Sequence, residues 1–201
     1  MIRTDTWVYI HIPKTSGTNF IKNAEISAKN LINYGIKYHK NFSHQPLWWW
    51  ENQNLINNTD CIFSIVRNPY DRFVSFYNHI KSNIQVLEFE DFIRKDQLLT
   101  INEIVKNDVG EHGNLLSWKV EWPQVKFIES KSNASVKTYK IENELPLLEK
   151  FVGYSFTNTF YNKREHPPWR QYYNKYTLDA IYTIYKEDFL CFGYRRNSYG
   201  I

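Results

Sequence analysis

Lys14, Thr15, Ser16, Gly17, Thr18 and Asn19 follow an apolar, β-rich run, Trp7-Val-Tyr-Ile-His-Ile-Pro13, and lead into Phe20-Ile-Lys-Asn-Ala-Glu-Ile26. A cation, three hydroxyls and a glycine where a strand gives way to a helix suit the binding of a phosphate-like anion. Turn N–H groups and the positive end of the helix converge on one point. Lys14 adds a full charge there, while Thr15, Ser16 and Thr18 offer hydroxyl donors. The pattern differs from the G-x-x-x-x-G-K-[ST] loop, because the loop's one glycine, Gly17, comes after the lysine. So short a loop suits a single phosphate or sulfate better than the β- and γ-phosphates of ATP with magnesium. The plain alternative is a β–α turn that happens to be polar.

A second junction has the same layout. Asp60-Cys-Ile-Phe-Ser-Ile-Val66 is a buried-strand pattern that runs into Arg67-Asn-Pro-Tyr-Asp-Arg72. Beyond it Phe73, Phe76, Tyr77 and Ile80 share one helical face. Pro69 fits the turn before this helix, and Asp71 suits its cap or first turn. Arg67 therefore falls at the carboxyl end of a strand, where open α/β sheets bind ligands, and its planar fork matches a phosphate. Ser75, in the first turn of the helix, is placed to help hold the same anion. For Arg72 a structural ion pair is an equal alternative.

His11-Ile-Pro-Lys-Thr-Ser-Gly-Thr18 resembles the 5′-phosphosulfate loop of sulfotransferases, and Arg67-Asn-Pro-Tyr-Asp-Arg-Phe-Val-Ser75 resembles their 3′-phosphate motif. Glu121-Trp-Pro-Gln-Val-Lys-Phe-Ile128 and Tyr139-Lys-Ile-Glu-Asn143 resemble segments of the Golgi-type carbohydrate branch, and the stretch from Tyr182 to Tyr194 resembles the closing helix and tail of the family. The resemblance spans nearly the whole chain, which is short for the family. It implies transfer of a sulfuryl group from 3′-phosphoadenosine 5′-phosphosulfate (PAPS), leaving PAP, to an acceptor hydroxyl or amine, with a carbohydrate hydroxyl favoured. Pro13 to Asn19, Arg67 and Ser75 would bind the nucleotide, and Lys14 would stabilise charge on the leaving phosphate oxygen. No metal is required, since lysine and loop dipoles supply the charge.

The acceptor also needs a general base. His39 and His44 lie between the two motifs, and in related carbohydrate sulfotransferases a histidine holds a similar place. His39 is the closer match and His44 the reserve; a surface or hydrogen-bonded histidine is the equal alternative for either. His11, inside the first strand, is expected to pack or orient the loop. In the family a loop near Lys163-Arg-Glu-His-Pro-Pro-Trp-Arg170 closes over the cofactor, which would bring Lys163, Arg164 or Arg170 to the 3′-phosphate. Relatives more often carry Asn-Lys-Ser where this chain has Asn162-Lys-Arg164, and a solvated, proline-braced loop is the alternative. Trp48-Trp-Trp50 offers aromatic faces for a sugar or adenine, against the simpler role of packing a loop on the core, with at least one ring expected in solvent.

These motifs need an α/β scaffold, and the chain supplies one: a P-loop-like parallel β-sheet flanked by helices, one domain over residues 1–201. Strands are expected at 7–12, 34–38, 60–66, 125–129 and 136–141. Helices are expected at 17–29, 71–83, 88–94, 144–151 and 177–188, with 114–119 read as a loop beside the nucleotide. Net charge is +4, from 25 basic and 21 acidic residues, so no polybasic tail marks a nucleic-acid binder. Cys61 and Cys191 fall in apolar surroundings and read as free, buried thiols. No signal peptide or membrane span is evident, which suggests a cytoplasmic protein of a bacterium or its virus; the oligomeric state is not legible. Two other functions fit less well: a P-loop-type nucleotide kinase, and a non-catalytic binder of an anionic sugar or nucleotide.

Overall fold

The computed structural model describes residues 1–34, 44–57, 59–81, 88–93, 122–156 and 166–198. In chain order its elements are β1 (Ile2–Arg3), β2 (Val8–Tyr9), α1 (Gly17–Ser27), β3 (Ile32–Asn33), α2 (Leu47–Asn52), β4 (Ile62–Val66), α3 (Pro69–Lys81), α4 (Phe89–Ile93), α5 (Val125–Ile128), β5 (Val136–Lys140), α6 (Leu145–Val152), a 3-10 turn (Trp169–Tyr172), α7 (Lys175–Ile184) and α8 (Lys186–Cys191). They form two compact units, residues 1–67 with 124–163 and residues 68–123 with 164–201.

The first unit holds one five-stranded sheet of order β3-β1-β2-β4-β5. Its centre is parallel, β2 on β4 (Val8↔Ile62) and β4 on β5 (Ile62↔Val136 through Val66↔Lys140). All five residues of β4 are buried, as expected where helices cover both faces of a parallel sheet. Alternation along the strands sorts the side chains. Tyr9, Phe63, Ile65 and Tyr139 pack with Phe20 and Ala24 of α1 and Leu148 of α6. On the other face Val8, Ile10 and Ile62 meet Leu47 and Trp50 of α2. Phe20 anchors α1: its ring lies 4.6 Å from Tyr9, 5.5 Å from Phe63 and 5.3 Å from Phe156 between centroids. Burying such a ring contributes about 1.5–3 kcal/mol. That anchor fixes the loop leading into the helix.

In the second unit Tyr70, Phe73, Phe76 and Tyr77 of α3 pack on Phe89 and Phe92 of α4, on Leu178 and Ile181 of α7, on Phe189 of α8 and on Tyr185 between those two helices. Asn174 caps α7 in a reciprocal box: its side chain accepts from the Thr177 N–H and its own N–H donates to the Thr177 hydroxyl, both at 2.9 Å.

Four expectations need correction. The sheet is mixed, because β1 pairs antiparallel with both β2 and β3; strands two residues long carry no period that a sequence could display. Residues 125–128 are helical, not a strand; an apolar run this short fits either state, and here Phe127 is buried while Lys126 pairs with Glu129 at 2.6 Å. The closing helix is broken at buried Tyr185 into α7 and α8. Both cysteines are free but exposed, Cys61 just before β4 and Cys191 at the end of α8. The segments 35–38 and 114–119 lie outside the described residues.

Candidate active site

The loop after β2 turns on two left-handed residues, Lys14 and Ser16, each with φ 68°. Alternating conformations of this kind aim successive N–H groups at one concavity that accepts an anion. Ser16 is the N-cap of α1, its side chain makes no capping hydrogen bond, and no acidic residue occupies the first turn. The Phe20 N–H bonds back to the Ser16 carbonyl at 3.2 Å. The N–H groups of Gly17 and Thr18 therefore lie in the part of the helix that has no intrahelical acceptor. Lys14 and Ser16 are half-buried and Thr18 is exposed. A tetrahedral oxyanion fits this donor set.

Two polar side chains of the loop face inward. Thr15 is fully buried and donates its hydroxyl to the Ile12 carbonyl at 3.0 Å. Buried Asn19 donates to the Phe156 carbonyl at 3.2 Å, and its own carbonyl accepts from Asn23 at 2.9 Å. These side chains hold the loop's shape, so the Thr15 hydroxyl is not one of the outward donors expected of it. Pro13 is buried as well.

Arg67 continues β4 beyond its last paired residue and comes to the same loop. Its guanidinium donates to the Lys14 carbonyl at 3.3 Å. The backbone of Arg67 is clamped in turn by Gln124, a fully buried side chain. The Gln124 amide oxygen accepts from the Arg67 N–H at 2.9 Å, and the amide nitrogen donates to the Arg67 carbonyl at 2.8 Å. Sequence reasoning missed this glutamine. Its only signal was the Trp-Pro-Gln segment, which named no role.

Beneath the loop two imidazoles meet. His11 and His44 are buried, with ring centroids 4.2 Å apart, and His44 Nδ1 lies 3.4 Å from the His11 carbonyl. The His11 ring lies directly against Gly17, in line with the expectation that it orients the loop. Burial holds the His11 pKa well below the usual histidine value, helped by the neighbouring charges of His44 and Lys14. The unfolded chain therefore takes up a proton near pH 6.5 that the native His11 refuses, and stability falls as pH drops from there toward the native pKa. Wild type is expected to lose up to about 1.4 kcal/mol per pH unit in that window from this residue. Thermal or denaturant melts of His11→Asn should show a shallower acid slope by that amount; equal slopes would mean that His11 titrates normally.

The remaining candidates divide. Ser75 is half-buried on α3, in the second turn and not the first as expected, because the helix already begins at Pro69. Arg72 is buried, donates to the Trp122 carbonyl at 3.0 Å and sits 5.6 Å from the Tyr185 ring centre, which is a structural role. Arg170 lies over Trp169 at 4.6 Å and donates to the Ser198 carbonyl at 3.2 Å. None of the three tryptophans is fully exposed. Trp50 is buried and donates to the Gln45 carbonyl at 3.0 Å, Trp49 packs edge-on against it, and Trp48 carries the Lys131 ammonium at 4.9 Å. His39, Lys163 and Arg164 lie outside the described residues.

The loop between β2 and α1, touched by an arginine from the next parallel strand, stands on an α/β scaffold. The model of the Sulfotransferase family matches residues 1–195, and the chain belongs to that family. It is a sulfotransferase enzyme, and its family generally takes the sulfuryl group from PAPS. Searches of curated proteins and of solved structures return no match. Among the described residues no helix is long and apolar enough to cross a membrane.

Proposed function

We propose that the chain moves the sulfuryl group of PAPS to a hydroxyl on a carbohydrate acceptor. The observation that carries this reading is the Arg67 guanidinium on the Lys14 carbonyl, which gathers two cations and the open end of α1 around one turn. Pro13 to Asn19 form the turn that takes the 5′-phosphosulfate; N–H groups and the Lys14 ammonium do the binding, and Thr15 and Asn19 keep the turn in shape. Arg67 serves the nucleotide's phosphates, with Ser75 included on motif spacing and Lys163, Arg164 and Arg170 as further 3′-phosphate candidates. During transfer the bond from sulfur to the phosphate oxygen breaks, and Lys14 holds positive charge where that oxygen gains negative charge. The acceptor oxygen forms the new bond to sulfur, and its proton passes to a base. His39 is our choice for that base, because His44 packs against His11 under the loop.

Titration calorimetry with PAP, and separately with ATP and magnesium, tests the donor. PAP should bind without metal and more tightly than ATP; a preference for ATP with magnesium would point to a kinase. A labelled-sulfate screen over carbohydrate, lipid, tyrosyl-peptide and small-metabolite hydroxyls tests the acceptor. Arg67→Ala is expected to weaken PAP binding by about 2 kcal/mol or more, roughly thirtyfold, through loss of charge-assisted bonds. Arg67→Lys should recover only part of this, since an ammonium lacks the planar fork. Unchanged PAP affinity in Arg67→Ala would confine that residue to structure.

A further inference from the structure

We propose that Gln124 is a positioning residue: it sets the anion loop through Arg67. A glutamine side-chain amide has the same donor and acceptor layout as a peptide group. β5 ends its pairing with β4 at Val66↔Lys140, with the Ile141 N–H on the Val66 carbonyl at 2.9 Å. At the next residue the Gln124 amide bonds both the N–H and the carbonyl of Arg67, at 2.9 and 2.8 Å. It acts as one further rung of the ladder, supplied by a side chain 57 residues away. From a backbone held in this way the Arg67 guanidinium reaches the Lys14 carbonyl, at the first of the loop's two left-handed residues.

The placement of Gln124 is itself built. The residue is fully buried, and it opens α5, whose Phe127 N–H bonds back to the Gln124 carbonyl at 3.0 Å and whose Phe127 ring is also buried. α5 therefore fixes where this amide stands. That gives a reason for a four-residue helical turn in a stretch whose composition suggests a strand.

The chain of contacts makes two demands. Removing the amide should loosen Arg67 and, through it, the Lys14 turn. It should also do nothing further once the Arg67 side chain is gone. The first demand concerns the protein alone, and the second rests on the PAPS reading above. Gln124→Leu, nearly isosteric, removes both hydrogen bonds. Gln124→Glu keeps an acceptor when ionised, and when protonated regains a donor in the same place.

Amide hydrogen exchange on the ligand-free protein reads the first demand. In Gln124→Leu the amides of Arg67 and of residues 14–17 should exchange about tenfold faster or more, with β4 and α2 unchanged. Gln124→Glu should approach wild type as pH falls and its carboxyl protonates. Uniform acceleration across the fold, or none at Arg67, would overturn the proposal, and Gln124→Glu covers the case in which the leucine variant does not fold. PAP titration in a double-mutant cycle reads the second demand. Gln124→Leu should weaken PAP about tenfold in wild type, or 1.4 kcal/mol, and by less than twofold in an Arg67→Ala background. Equal losses in both backgrounds would show that Gln124 does not act through Arg67. If wild type fails to bind PAP, the donor reading falls, and the exchange experiment still decides the role of Gln124.

Discussion

Lys14→Ala is expected to lower kcat for sulfuryl transfer by about 10²- to 10³-fold, the usual cost of losing one preorganised charge or donor at a developing oxyanion, while the protein melts almost as wild type does. Lys14 is half-buried in the turn, and its backbone is part of the loop's framework: the carbonyl accepts from Arg67 and φ is 68°. Alanine also carries a Cβ, so the left-handed conformation costs it no more than it costs lysine. The backbone architecture should survive the loss of the ammonium and its alkyl stem. Because charge on the leaving oxygen grows toward the transition state, the loss should fall mainly on kcat, with a smaller change in PAP affinity. Steady-state kinetics with a labelled donor, set beside a thermal melt, separate the effects. Full activity in Lys14→Ala would remove this residue from the chemistry; a collapse in melting temperature would make it structural.

The parts of this site that were legible in the sequence are those whose signal is local. Lys14 to Asn19 and Arg67 to Ser75 each sit within one strand–turn–helix unit, so residue order alone reveals a cation or fork at a strand end. The helices after them appear within about two residues of expectation. What stayed hidden depends on contacts distant along the chain. Gln124 gains its meaning only from Arg67, and a lone glutamine announces nothing. The inward turn of Thr15 and Asn19 depends on which lone pairs the fold brings near, Ile12 in one case and Phe156 in the other. The antiparallel edge made by β1 and β3 rests on four residue pairs in all, too few to impose a pattern on composition. Exposure of Cys61 and Cys191 follows from where their elements begin and end, which apolar neighbours in sequence do not reveal.

At Gly17 a single added methyl group is expected to have a large structural effect. A glycine in a turn suggests a need for positive φ, but in this loop the positive φ values belong to Lys14 and Ser16, while Gly17 opens α1. Alanine is favoured over glycine by about 1 kcal/mol inside a helix, and at this first helical position by less. Space reverses the sign. A Cβ on Gly17 would collide with the His11 ring and lie 2.8 Å from the Tyr9 hydroxyl. His11 cannot swing away, because its buried ring stacks on Tyr9 at 5.9 Å and meets His44 at 4.2 Å. Overpacking of this kind costs about 1–3 kcal/mol, which for a chain of this length lowers Tm by roughly 2–12 °C. Relief would require the loop to lift off β2, which moves the N–H groups we propose for the anion. Gly17→Ala is therefore expected to lose PAP affinity by tenfold or more along with its stability. His11→Ala in the same chain should return part of both, since it empties the space the new methyl needs, so the two substitutions together should cost less than their sum. Calorimetric melts and PAP titrations of the two single variants and the double variant measure that coupling. A Gly17→Ala protein that melts and binds like wild type, or a double variant whose losses simply add, would show that close approach to His11 is not what reserves this position for glycine.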